Sequence, residues 1–133
     1  MRTTLILLVS LIISLNVNAQ DKKDALEGKR FAVDIIEKGR IGKDDKMTDI
    51  IVFKDGKVSA KFSRDNKFTD AEYTIETKEG MMGVTIVFKG TGKNKKDKLL
   101  WEGYVSDDEI EGEAITRRKG TIRSIYQFKG KLK

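Results

Sequence analysis

A two-residue period in the apolar residues constrains this chain more than any other feature. It recurs segment after segment, broken by turn-forming pairs. Phe31, Val33 and Ile35 alternate with Ala32 and Asp34, and Val58, Ala60 and Phe62 with Lys57, Ser59 and Lys61. Ala71, Tyr73 and Ile75 alternate with Glu72, Thr74 and Glu76. Val84, Ile86 and Phe88 follow, then Trp101, Gly103 and Val105, then Ile110, Gly112 and Ala114, and last Tyr126, Phe128 and Leu132. With Ile51 and Phe53 these make eight segments. Strict alternation is the signature of a strand with one buried face, and no stretch shows a convincing helical period.

The turns test this reading. Asp55-Gly56 suits a two-residue hairpin, because both residues tolerate the positive φ of a type I′ turn. It sets Phe53 opposite Val58 and Ile51 opposite Ala60. A turn at Glu79-Gly80 sets Ile75 opposite Val84, Tyr73 opposite Ile86 and Ala71 opposite Phe88. A turn at Asp107-Asp108 sets Val105 opposite Ile110, Gly103 opposite Gly112 and Trp101 opposite Ala114. A longer turn at Lys119-Gly120-Thr121 sets Thr116 opposite Tyr126, Ala114 opposite Phe128 and Ile110 opposite Leu132. A one-residue slip would throw a strand's apolar set to the wrong face, and all four hairpins avoid this independently. The same register sets Glu113 beside Lys129 and Glu111 beside Lys131. Residues 97–113 hold seven acids and one Lys, and residues 114–133 seven bases and no acid. Two adjacent strands neutralising each other account for that skew better than a basic tail does.

Consecutive hairpins make a meander, and closing it buries the apolar face and removes both edges. The expected fold is an all-β, eight-stranded antiparallel up-and-down β-barrel, with a two-sheet β-sandwich as the alternative. Small inward residues (Ala60, Ala71, Gly103, Gly112, Ala114, Gly130) point to barrel corners or to interior space.

Three segments carry a resemblance: Leu26-Glu27-Gly28-Lys29-Arg30-Phe31, Phe53-Lys54-Asp55-Gly56-Lys57, and Trp101-Glu102-Gly103-Tyr104-Val105 running into Asp108-Glu109-Ile110-Glu111-Gly112. In these the chain resembles the calycin superfamily, the lipocalin and fatty-acid-binding type of barrel, and in particular small lipocalin-like proteins exported by bacteria. The resemblance implies an up-and-down barrel and an apolar ligand. It carries over no binding residue.

The N-terminus reads as an export signal. Arg2 precedes the apolar run Leu5 to Leu15, and Asn16-Val17-Asn18-Ala19 offers a cleavage site before the polar Gln20-Asp21-Lys22-Lys23-Asp24. The run is shorter than the roughly 20 residues a membrane span needs. The expected organisation is a signal peptide over 1–19, a flexible lead-in over 20–28 and a single domain over 29–133, secreted or periplasmic and bacterial. The chain has no Cys, whereas small secreted domains usually rely on disulfides. Its net charge of +6, of which only Arg2 lies in the signal segment, comes from dense charge of both signs, as expected of a mixed soluble surface.

Missing residue types exclude whole chemistries. Without His or Cys there is no histidine base, Ser-His triad, thiolate nucleophile or zinc site. Asp44-Asp45 and Asp107-Asp108-Glu109 lack calcium-loop spacing and lie where turns are expected. Glu102 and Glu113 face each other on the outside as surface charge. No enzyme, cofactor, metal site or nucleic-acid partner is expected. Two candidate sites remain. Tyr73, Ile86, Trp101, Tyr126 and Phe128 are either simple core or the lining of a cavity for a small apolar or amphiphilic molecule. Lys93, Lys95, Lys96 and Lys98, in the flexible basic loop from Gly90 to Lys98, are either a solvated tip or a surface for an anionic envelope component. The expected function is ligand binding in the barrel. The alternative is a filled barrel working through its charged surface, and a carboxylate, Lys or Tyr enzyme comes last.

Overall fold

The structure, a computed structural model, describes residues 25–38, 44–81 and 83–133. The expected signal peptide over 1–19 and residues 20–24 of the expected lead-in lie outside the described residues. Eight antiparallel strands stand in chain order: β1 (Arg30–Glu37), β2 (Asp45–Lys54), β3 (Lys57–Ser59), β4 (Ala71–Gly80), β5 (Gly83–Lys93), β6 (Lys98–Ser106), β7 (Glu109–Arg118) and β8 (Thr121–Leu132). β8 returns to β1, from Phe31↔Leu132 to Glu37↔Tyr126, so one sheet closes into a ring rather than two sheets facing each other. One short helix, α1 (Lys61–Asp65), lies between β3 and β4. Among the described residues no helix is long and apolar enough to cross a membrane.

Two hairpins keep the expected register. Phe53 pairs with Val58 around Asp55-Gly56, both of which have positive φ, and Gly103 pairs with Gly112. Two others differ. The β4–β5 turn sits two residues beyond Glu79-Gly80, so Ile75 pairs with Phe88 and Tyr73 with Gly90. The residue that needs the left-handed backbone is Gly83, at φ 114, not Gly80. The β7–β8 turn uses only Lys119-Gly120, with a bulge at Thr116/Arg117, so Ala114 pairs with Tyr126 and Gly112 with Phe128. The charge pairs move accordingly: Glu111 lies opposite Lys129, Glu109 opposite Lys131 and Glu113 opposite Gln127. Both displacements preserve parity, so the same residues still face inward, and the parity argument could not separate these registers.

A third correction concerns Phe62. The strand expected to run through it stops at Ser59, and the chain turns into α1. The Asp49 carboxylate, on β2, accepts hydrogen bonds from the Lys61 and Phe62 N–H groups at 3.1 and 2.9 Å, satisfying free donors at the helix start. Ser63 Oγ accepts from the Ala60 N–H at 3.1 Å. A carboxylate distant in sequence therefore bends the chain inward. Phe62 is buried against Trp101 and Tyr126, with ring centres 5.5 and 4.7 Å away. The opposite end of the ring holds Leu26, fully buried in the turn Ala25–Gly28. Gly28 N–H donates to the Phe53 carbonyl at 2.7 Å, and Glu27 accepts from the Asp55 and Gly56 N–H groups. Residues 25–28 of the expected lead-in are thus packed against the β2–β3 hairpin.

Between these ends the interior is aromatic. Phe53 meets Phe31, Tyr73 and Phe88 edge-on at 6.0, 5.2 and 5.0 Å. Phe88 leads to Phe128 and Phe128 to Trp101, at 6.4 and 6.0 Å. The glycines explain how the rings fit. A Cβ on Gly103 would stand 2.9 Å from Phe88 Cζ, and one on Gly112 2.7 Å from Phe128 Cζ. The rings occupy the volume that side chains at these positions would have taken. Gly112→Leu should therefore overpack the interior and cost about 1–3 kcal/mol. Denaturant midpoints of the two proteins measure this, and an unchanged midpoint would mean that the rings can move aside.

Candidate functional site

Of the five residues expected to line a cavity, Tyr73, Trp101, Tyr126 and Phe128 are buried and Ile86 is partly buried at the edge of the same cluster. All four aromatics take part in the ring contacts above and belong to one core, Tyr73 joining the others through Phe53 and Phe88. Burial, and then the nearby Glu37 carboxylate, push the Tyr126 hydroxyl above its ordinary pKa.

The basic candidates come together at the end of the ring that carries α1, here the helical end. The loop between β5 and β6 is not a free tip. Thr69 N–H donates to the Lys93 carbonyl at 2.9 Å, and Lys93 N–H donates to Thr69 Oγ1 at 3.1 Å. Asn94 Oδ1 accepts from the N–H groups of Lys96 and Asp97 at 3.0 and 2.7 Å, the local bonding that makes Asn a turn former. Asn94 Nδ2 donates to the Asn66 carbonyl at 2.9 Å, tying the loop to the end of α1. Arg118 grips Asp97 with two hydrogen bonds, Nε to Oδ1 at 2.7 Å and the terminal nitrogen to Oδ2 at 3.3 Å. That bond holds the Asp97 carboxyl below the usual carboxylate range.

The held loop lines two adjoining depressions. One, of about 760 Å³, has Lys67, Lys93, Lys95, Lys96 and Arg118 in its wall. The other, of about 500 Å³, adds Lys98, Arg117 and Lys119. Among the described residues, Arg118 alone of these cations is in an ion pair. A wider outer depression of about 940 Å³ sets Asp34, Glu109, Glu111 and Glu113 against Lys129 and Lys131, so acids outnumber bases in its wall. No group of acidic residues able to hold a metal ion occurs among the described residues.

Lys67, Arg117, Arg118 and Lys119 are the members that sequence reasoning missed. Three of them belong to the basic stretch after residue 113, of which only Lys129 and Lys131 lie opposite acids on β7. The further signal is backbone conformation. Lys67 follows α1 in the left-handed region (φ 66), with its own N–H bonded to the Arg64 carbonyl and the Phe68 N–H to the Ser63 carbonyl. This is the helix-ending arrangement that normally selects Gly or Asn. Lys119 (φ 51) opens a turn that favours Asn, Asp or Gly. Lysine thus occupies two places that its backbone disfavours, both on the rim of the basic surface.

Two outcomes follow. Lys67→Gly and Lys119→Asn should each stabilise the fold, by up to about 1 kcal/mol through relief of backbone strain, and thermal unfolding measures this. For Tyr126 the folded pKa is raised, so its contribution to stability is complete below the unfolded value of about 10 and declines as pH rises past it. Tyr126→Phe should flatten that alkaline loss in unfolding curves recorded against pH. Compared with family models, curated proteins and solved structures, the chain matches none of them.

Proposed function

We propose that this chain is an exported, lipocalin-like barrel that works with its interior filled and binds an anionic component of the cell envelope through the basic rim at its helical end. One observation carries the reading: seven cations without an ion pair among the described residues surround a loop pinned by Thr69, Asn94 and the Asp97–Arg118 pair. A charge cluster on a solvated tip has no need of such pinning. A binding surface gains from it, because less side-chain and loop freedom is lost when the partner arrives. The interior supports the same reading. A ligand in the barrel would require Phe88 and Phe128 to lift from Gly103 and Gly112, and would open packing that is otherwise tight.

Binding to anionic lipid vesicles or an anionic polysaccharide should weaken steeply with salt, since exposed charges are screened within about 10 Å at 0.1 M. Replacing Lys93, Lys95, Lys96 and Lys98 with Gln should abolish it. A panel of apolar probes should leave Trp101 fluorescence unchanged. Salt-independent binding, or a probe that shifts Trp101 emission and is blocked by Gly112→Leu, would return function to the barrel interior.

A further inference from the structure

β4 outruns the strand before it. β3 pairs with it only at Lys57↔Glu72 and Val58↔Ala71, and the last bond on that side runs from the Tyr73 N–H to the Gly56 carbonyl. On its other side β5 continues to Gly80↔Gly83. From Thr74 to Gly80, β4 thus has a strand on one side and, among the described residues, none on the other. Alternation decides which groups face the open side. Successive residues of an antiparallel strand turn their N–H and C=O to opposite neighbours. Tyr73 points toward β3, so Ile75, Thr77 and Glu79 point the same way, with donors and acceptors directed past the end of β3.

We propose that this edge binds a second copy of the chain, strand to strand and antiparallel, about a two-fold axis at Thr77. The argument is self-complementarity. Centring the pair on Thr77 matches Thr77 with Thr77, Ile75 with Glu79 and Glu79 with Ile75, each exchanging two backbone hydrogen bonds. The alternate pairs, where side chains approach most closely, are Glu76 with Lys78 and Lys78 with Glu76. Opposite charges therefore meet twice. Centring on Ile75 would need the Tyr73 N–H already committed to Gly56, and centring on Glu79 would run past Gly80 into the turn. Edge strands are commonly guarded by charge. Here the guard repels a generic strand and fits its own copy. The surface lies at the end of the ring opposite the basic rim, so a dimer leaves that rim open in both subunits.

Sedimentation velocity on the exported protein tests this. The wild type should dimerise as its concentration rises. Lys78→Glu and Glu76→Lys should each weaken the dimer by about tenfold or more, because they set like charges opposite each other. An equimolar mixture of the two variants should recover a dimer containing one of each. Thr77→Pro should abolish dimerisation without disturbing the β4–β5 ladder, since the lost N–H faces the open edge. A wild type that stays monomeric at millimolar concentration would overturn the proposal, as would a dimer indifferent to these substitutions. So would a dimer seen only after removal of the residues before Ala25, which would assign the edge to the chain's own N-terminal segment.

Discussion

The packing of Phe88 and Phe128 onto the facing glycines Gly103 and Gly112 is the contact on which the rest of the structure depends. Two strands can approach this closely only where neither carries a side chain, and a Cβ on Gly112 would also stand 2.5 Å from the Gly103 Cα. The rings then supply the bulk that the glycines omit. Gly130, whose added Cβ would run into the Ala32 carbonyl, permits the same approach where β8 meets β1. The closed ring and its filled interior are thus one solution. Small residues on the wall let the sheet bend, and large residues from neighbouring strands take up the space.

Sealing the ends follows from this interior. Phe62 reaches Trp101 and Tyr126 only because Asp49 holds the start of α1. Leu26 reaches the other end only because Gly28 and Glu27 bind the β2–β3 hairpin. Each closure places a carboxylate at a backbone terminus or turn, where unsatisfied N–H groups collect. The acids are thereby used locally, and the basic rim at the helical end is left with an excess of positive charge. Arg118 is paired there, yet its partner Asp97 also shapes the loop that presents the lysines.

The strands were legible in the sequence because alternation and turn residues agree at Phe53–Val58 and Gly103–Gly112, where each register has one simple solution. The β4–β5 register was not, because parity is blind to a turn moved by two residues and both Gly80 and Gly83 look like turn glycines. Phe62 was misread as strand because its alternation with Val58 and Ala60 is real. What overrides it is Asp49, twelve residues before Lys61 and invisible to any local pattern. The basic site was half legible. The lysines of the β5–β6 loop stand out as a run, whereas Lys67 and Lys119 join them only through the fold.

The pairing of β1 with β8 also governs how the chain can acquire this structure. Every other ladder joins strands that are neighbours in sequence, but Phe31 and Leu132 are about 100 residues apart, and closing a loop of that length costs entropy before any contact repays it. A polypeptide emerging N-terminus first can form each hairpin as it appears, yet β1 has no second partner until the final strand arrives. Truncation before Thr121, or a stall there, would remove β8 and leave two open strand edges and an uncovered aromatic interior. Such an intermediate invites aggregation, so the arrival of β8 decides whether the molecule matures or precipitates.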